Sequence, residues 1–293
     1  MSEHEQLLNC PAPAKLNLFL HVIGRRADGY HLLQSAFQLI TLGDTIDFYR
    51  NDDGRIHRSH TLADVPEDQD LVVRAAALLQ AHCNCNYGVR VHLHKRLPTG
   101  AGLGGGSSDA ATTLLALNRL WNCGLSRSEL MQLGLGLGAD VPFFIFGQNA
   151  FVEGIGERMQ ALATPSKWFI LIWPDVHVPT PRIFSAQELT RDTKPVRITD
   201  FPDAHNASNA NNLEWKNDLQ AVACAWYPQI QTAIHWLGQF GEARMTGSGS
   251  CVFCAFDDEN SANEVLKQVP NTWSAWKTQA LEQHPLLKWS DEE

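Results

Sequence analysis

The sequence predicts an α+β protein of two domains, residues 1–162 and 163–293, on three observations. A chain of 293 residues is long enough to bury two ordinary cores. The first half carries a strand, a glycine-rich loop and a helix in direct succession. Past Pro165 the pattern changes to a β, α, α, β, β, α, β order, which suggests a smaller sheet with helices on one face.

The glycine-rich loop organises the first half. Leu97 to Ala110 reads Leu-Pro-Thr-Gly-Ala-Gly-Leu-Gly-Gly-Gly-Ser-Ser-Asp-Ala. Before it, Val89, Val91 and Leu93 alternate with Arg90, His92 and His94, the period of a half-buried strand over Gly88 to Lys95. After it, Leu114, Leu117 and Trp121 recur at helical spacing until Gly124, with Ser107 or Ser108 placed to cap the helix start. The five glycines allow positive φ and close approach of a ligand, and the free N–H groups of a helix start favour an anion. This is the composition of a phosphate cradle. A dinucleotide fold is disfavoured because no second strand ends in an acidic residue about 20 positions later. A P-loop needs Gly-Lys-Ser/Thr where this chain has Gly-Ser-Ser, and the Asp-Phe-Gly and His-Arg-Asp strings of protein kinases do not occur.

The remaining elements follow in order. Ala14 to Val22 reads as a strand with Leu16, Leu18, Leu20 and Val22 on one face and Lys15, Asn17, Phe19 and His21 on the other. Lys15 and Asn17 are either the exposed face of an edge strand or a pair projecting into a site, an ammonium for developing negative charge and an amide for a phosphate or hydroxyl. Gly24 to Gly29 turns the chain, and Tyr30-His31 follow where an aromatic and an imidazole can meet a ligand. Leu32–Ile40 and Thr45–Tyr49 are expected as two strands parted by Gly43-Asp44, then loop and hairpin over Asn51–Asp70, then a helix over Leu71–His82. Ser126-x-x-Glu129 is a capping box for a helix carrying Leu130, Leu133 and Leu137 and ending at Gly138. Asp140 comes next, with Pro142 expected to keep Val141 extended and Phe143 to Phe146 supplying apolar walls. It is a turn residue, or a carboxylate held near apolar groups to act as a general base. Ala150–Glu153 and the Gly154–Glu157 turn close the first half. In the second half come strand Trp168–Trp173, the segment Arg182–Ser185, a polar stretch over residues 205–217, two helical segments, and the turn Gly247–Ser250. Strand Cys251–Phe256, helix Ala262–Val269 and strand Trp273–Lys277 complete it.

Composition narrows the function classes. With 44% hydrophobic and 19% charged residues, and no run near the roughly 18 apolar residues of a membrane span, a globular chain is expected. The first residues, Met-Ser-Glu-His-Glu-Gln, lack the basic-then-apolar order of a signal peptide, so the expected location is the cytoplasm. A net charge of −9 disfavours nonspecific nucleic-acid binding while leaving room for a local basic pocket. Seven scattered cysteines are expected as reduced thiols. His92 and His94 share a strand face, but no third metal ligand is evident.

Taken together, these stretches resemble the GHMP small-molecule kinases, whose mark is a Pro-x-x-x-Gly-Leu-Gly-Ser-Ser type loop. The loop here departs by carrying extra glycines before its serines, and it is similar to one branch of that family. Pro13-Ala-Lys-Leu-Asn through Gly-Tyr-His31, Leu137-Gly-Ala-Asp-Val-Pro-Phe143 and Met245-Thr-Gly-Ser-Gly-Ser-Cys-Val-Phe253 fit the same branch. The Gly-Arg-Arg-Ala-Asp-Gly-Tyr-His turn and the triple glycine set it apart from homoserine and mevalonate kinases. The resemblance implies a ribosomal-protein-S5-like N-terminal domain that binds ATP and a ferredoxin-like C-terminal domain that binds substrate. The cofactors it implies are ATP and Mg²⁺, and the acceptor is a tertiary alcohol joined to a cytidine diphosphate. It implies Asp140 as general base, Lys15 as the cation beside the reacting hydroxyl and Asn17 as a substrate-placing residue. The nucleotide would lie on Lys95 and on Pro98, Thr99, Gly100, Ala101, Gly102, Leu103, Gly104, Gly105, Gly106, Ser107 and Ser108. Tyr30 and Phe184 would sandwich the cytosine, and His31 would read its polar edge. No acidic residue identifies itself as a Mg²⁺ ligand, and Ser108 is a candidate. A monomer or homodimer without nucleic-acid or membrane partners is expected.

Overall fold

Two strands of 20 and 21 residues, β1 (Gln6–Arg25) and β2 (His31–Asn51), form the antiparallel hairpin on which the first half is built. The computed structural model describes residues 5–59, 65–201 and 215–290. After the hairpin come β3 (Ile56–Arg58), α1 (Leu71–His82), β4 (Gly88–His94), α2 (Gly105–Leu120), α3 (Arg127–Leu135), α4 (Val141–Phe146), β5 (Ala150–Gly154) and β6 (Arg158–Ala161). The second half holds β7 (Trp168–Trp173), α5 (Thr180–Ser185), α6 (Gln220–Trp226), α7 (Pro228–Leu237), β8 (Arg244–Met245), β9 (Val252–Phe256), α8 (Glu259–Leu266) and β10 (Ser274–Leu281).

β2 is one strand, not the two expected. Ala14 faces Ile40 and Pro13 faces Gly43, so Thr41 and Leu42 bulge out of the β1 ladder. The freed groups are used by β10: Leu42 N–H donates to Thr278 Oγ1 at 2.8 Å, and Gln279 N–H donates to Thr41 Oγ1 at 3.0 Å. Gly43 is required here because a Cβ would stand 2.4 Å from the Ala12 carbonyl oxygen. A second bulge at Leu18 breaks the expected alternation of β1, and Phe19 packs with Phe151, Phe201 and Trp215. Over Ala12–Val22 neither face of β1 is exposed: Lys15, Asn17 and His21 are all buried.

The three largest of four apolar clusters among the described residues follow from the apolar periodicities. Helices α1 and α2 lay Val72, Leu79, Leu114 and Leu117 on Phe48, Val89 and Val91 of the first sheet. In the second half the order β10–β7–β9–β8 is that of a split βαβ unit, the ferredoxin-like arrangement. β7 is apolar on both faces: Ile170 and Ile172 meet α6 and α7, while Phe169 and Leu171 meet Leu16, Ile40, Leu97 and Leu103 of the first half. Cys251 and Cys254 of the neighbouring run divide between the same two cores. β10 also pairs with β2 through Ala280–Ile40 and Leu281–Leu39, which joins the two halves into one ten-stranded sheet among the described residues.

Smaller departures have local causes. Pro142 was expected to hold Val141 extended, yet both open α4, where a missing N–H costs no helical bond and where burial of Val141, Phe143 and Phe144 favours the helix. The capping box of Ser126 and Glu129 forms as expected, but α3 ends at Leu135. Within Asn51–Asp70 the short β3 runs parallel to β4, and residues 60–64 lie outside the described residues. So does most of the polar stretch 205–217. All seven cysteines are free.

His284 is a buried imidazole whose Nδ1 accepts the Leu286 N–H at 3.0 Å. Burial, with Arg127 nearby, pushes its pKa from 6.5 down to about 3. Below pH 6.5 the unfolded chain takes up a proton here that the folded protein refuses until pH falls near 3, so stability declines as pH drops through that window. The slope from this one group approaches about 1.4 kcal/mol per pH unit. His284→Asn, which keeps an acceptor for Leu286, is expected to flatten the pH dependence of urea unfolding between pH 6 and 4 relative to wild type, and an unchanged slope would contradict this.

Candidate active site

The joint between the two halves opens into a cleft of about 610 Å³. Its floor is β1. Lys15 and Asn17, two residues apart on one face, are buried at 3% and 2% exposure, and Lys15 Nζ donates to Asn17 Oδ1 at 2.6 Å. Asp140 Oδ2 lies 3.4 Å from the same ammonium, and the Phe37 ring lies 4.5 Å beneath it. Asp140 occupies the residue before α4 but makes no cap hydrogen bond, so its half-buried carboxylate is directed to Lys15. Asn17 is fixed from three sides: its Nδ2 donates to Ser35 Oγ at 2.9 Å, its backbone N–H donates to Thr246 Oγ1 at 2.9 Å, and its Oδ1 accepts from Lys15.

The glycine loop forms one wall. Gly100, Gly102 and Gly104 all have positive φ. At Gly102 a Cβ would stand 2.2 Å from the Thr246 carbonyl oxygen, and at Gly104 it would stand 2.9 Å from the Phe144 ring and 3.2 Å from Lys15 Cγ. The loop therefore touches the second half and the Lys15 stem through bare backbone. Gly104 in the left-handed region precedes α2, and no side chain caps the helix. The serines expected to cap do not: Ser108 is fully buried, its Oγ donates to the Pro13 carbonyl and its N–H to that of Gly104. Ser108, fully buried, stands outside the cleft lining, which takes it out of the phosphate cradle and the metal candidates and puts it in the frame. Ser107 does line the cleft. The uncapped first turn of a 16-residue helix presents N–H groups and a partial positive charge to an anion.

Lys95 lies at the root of the loop, in the cleft wall. Its Nζ donates to Asp44 Oδ2 at 2.5 Å and to Asp109 Oδ2 at 2.9 Å. Burial alone would lower the lysine's pKa, but Asp109 and Asp44 outweigh it and hold the ammonium above its ordinary value. Asp44 also accepts the N–H groups of Arg96 and Leu97, whereas Asp109 Oδ1 has no partner, and burial pushes Asp109 up to about 7. Neither aspartate stood out in the sequence. A carboxylate three residues past a glycine run was the available signal for Asp109.

The far end of the cleft carries the aromatic residues. Phe184, on α5, lines it, and the His31 ring lies 5.0 Å from the Phe184 ring. His31 stands just outside the lining, at the start of β2, and Tyr30 beside it is 61% exposed and turned to solvent. The two aromatic rings expected on either side of a base are thus not both in the cleft: Phe184 is within it and Tyr30 at its lip. Sequence reading also missed Arg191, which donates from Nε to His31 Nε2 at 3.0 Å, and the Thr180–Ser248 hydroxyl pair at 2.6 Å that joins α5 to the Gly247 turn. The Gly247 turn packs on Gly102.

Among the described residues no group of three His, Cys, Asp or Glu is arranged to hold a metal, and no helix is long and apolar enough to cross a membrane. His94 Nε2 lies 3.0 Å from Asp47, and His92 meets Ser59.

Comparison with known proteins bears on this cleft. The model of the GHMP kinases N-terminal domain matches residues 70–148, and that of the GHMP kinases C-terminal region matches residues 197–275. A protein of Herminiimonas arsenicoxydans described as 4-diphosphocytidyl-2-C-methyl-D-erythritol kinase is 62% identical over 96% of this chain and 97% of its own length. A protein of the same description from Aromatoleum aromaticum is 54% identical over 98% of both. A crystal structure of 4-(cytidine 5'-diphospho)-2C-methyl-D-erythritol kinase superposes with a TM-score of 0.75 at 33% identity, over 94% of this chain and 98% of that one. Mevalonate kinase, at 15% identity and a TM-score of 0.66, shares the fold. With relatives this similar along nearly its whole length, the chain belongs to the GHMP kinases, ATP-dependent small-molecule kinases, and within them to the 4-diphosphocytidyl-2-C-methyl-D-erythritol kinases.

Proposed function

We propose that this protein transfers the γ-phosphoryl group of ATP to the 2-hydroxyl of 4-diphosphocytidyl-2-C-methyl-D-erythritol, giving the 2-phosphate and ADP on the route to isoprenoid precursors. The observation that carries this reading is the Asp140–Lys15 pair, 3.4 Å apart, on the same cleft as the uncapped start of α2. The acceptor is a tertiary alcohol, hindered and weakly nucleophilic. Asp140 Oδ2 takes its proton as the oxygen attacks phosphorus, and the bond from the γ-phosphorus to the bridging oxygen of ADP breaks. The Lys15 ammonium opposes the charge growing on the acceptor oxygen and the transferring phosphoryl group. Asn17, held by Ser35 and Thr246, keeps the ammonium on that side of the cleft and offers its amide to the substrate.

The triphosphate lies along Pro98 to Ser107, on backbone N–H groups, with Lys95 adding a cation at the loop's root. Mg²⁺, when bound, neutralises phosphate charge. Of the carboxylates lining the cleft, Asp70 is tied to Arg58 at 2.9 Å and Asp109 to Lys95 at 2.9 Å, while Asp140 is held less closely, 3.4 Å from Lys15. That donor set fits an ion held chiefly by the triphosphate and water, with Asp140 the carboxylate nearest to hand. Phe184 supplies a face on which the cytosine stacks, while Tyr30, turned to solvent, covers the other only by swinging inward.

Three measurements test the assignment. Asp140→Asn is expected to lower kcat by at least ~10² with ATP affinity nearly unchanged, since only the chemical step loses its base; near-normal kcat would remove Asp140 from that role. Gly104→Val places a branched side chain at positive φ against Phe144 and Lys15, so ATP binding by calorimetry should fall in a protein that still folds; unchanged affinity would put the phosphates elsewhere. Phe184→Ala should weaken substrate binding by about 1 to 3 kcal/mol, the range for a base stacked on an aromatic side chain, and a smaller effect would argue against stacking there.

A further inference from the structure

Stacking on Phe184 accepts any base, so the choice of cytosine has to come from hydrogen bonds, and the group beside Phe184 is His31. An imidazole can present a donor, an acceptor or two donors, depending on where its protons sit. What surrounds His31 settles that. Arg191 donates from Nε to His31 Nε2 at 3.0 Å. Its other four N–H groups are directed at backbone carbonyls at and beyond the end of α5: Nη1 at Leu189 (3.0 Å) and Gln187 (3.5 Å), Nη2 at Phe184 (3.2 Å) and Ala186 (2.5 Å).

All five donors of the guanidinium are therefore committed, in a planar fork that no other side chain reproduces. The guanidinium keeps its proton at any working pH and has no acceptor to offer. His31 Nε2 must then be the lone-pair nitrogen, and the neutral ring carries its proton on Nδ1. Protonating Nε2 would set two N–H groups against each other. Burial, then the positive charges of Arg191 and Arg25, push the same way and hold the imidazole below its ordinary pKa.

We propose that Arg191 is a specificity-determining positioning residue, which fixes His31 as the neutral Nδ1–H tautomer and so makes the base pocket a hydrogen-bond donor. Resting on the substrate reading above, this deepens it. Cytosine presents an unprotonated N3 that accepts from Nδ1–H. Uracil carries a proton at N3, and donor meets donor. The same guanidinium clamps the Phe184 carbonyl, so one side chain sets both the stacking surface and the polarity beside it.

Two arms test the proposal. In the first, ¹⁵N imidazole NMR of the wild-type protein near pH 7.5, with His31 assigned by its loss in His31→Gln, is expected to show Nδ1 protonated and Nε2 bare. An Nε2–H tautomer or a charged ring overturns the proposal. In the second, kcat/KM is measured for the cytidine substrate and its uridine analogue in wild type, Arg191→Lys and Arg191→Met. Wild type is expected to favour cytidine by ~10² or more. Both variants should narrow that ratio by at least ~10-fold with the KM for ATP unchanged, because a freed His31 can also turn an acceptor to the base. A role limited to scaffolding would lower both substrates together, and an unchanged ratio in a folded variant overturns the proposal. Arg191→Lys retains the charge and serves if Arg191→Met does not fold. A wild type that phosphorylates neither compound defeats the substrate reading, while the tautomer measured by NMR still decides the role of Arg191.

Discussion

The structure depends on keeping one ammonium charged inside a protein. Lys15 is 3% exposed, and a buried cation without partners gives up its proton or unfolds its surroundings. Each partner arrives from a different place: Asn17 from the same strand, Asp140 from the start of α4, and the Phe37 face from β2. The Lys15 backbone N–H donates to the Leu103 carbonyl, which ties the glycine loop to the same residue. The charge proposed to serve the chemistry is thus also the point at which strand, loop and helix are registered against one another.

That register is carried across to the second half by close backbone packing. The Ala101 carbonyl accepts the Cys251 N–H, and Gly102 lies against Thr246 with no room for a side chain. Behind them Leu16, Leu103, Leu171 and Phe253 make a shared apolar core, and β10 runs on into β2. A cleft lined from both halves can hold its geometry only if the halves do not slide. Continuous sheet and shared core supply that rigidity, while the side chains left at the opening, Tyr30 above all, remain exposed.

Charge is distributed to match. The chain is acidic overall, yet the cleft concentrates Lys15, Lys95 and the α2 start along the glycine loop. Asp44 and Asp109 hold Lys95 in position at the root of the loop, and Arg191 holds His31 at the opposite end. In both cases a polar group in or beside the cleft is held by charged groups behind it, so the polar geometry is set before a ligand enters.

By itself the sequence determined the local pieces. Strand, glycine loop and helix over residues 88–120, the capping box at Ser126, the strand over Trp168–Trp173 and the turn at Gly24–Gly29 all follow from period and turn chemistry, which act within a few residues. Lys15 and Asp140 were legible as candidates for the same reason, each in a distinctive local setting, but as isolated residues neither outweighed an ordinary strand face or turn. Only the tertiary structure decided that they lie 3.4 Å apart, that both faces of β1 are buried over Ala12–Val22, and that Gly43 marks a bulge and not a strand end. It likewise decided that Ser108 serves the frame, and that Asp44, Asp109, Thr246 and Arg191 belong to the site. Partners such as Asn17 and Thr246, 229 residues apart, have no common pattern in the chain. They meet because apolar burial brings the two halves together, and the polar groups carried with it must then find donors and acceptors in one another.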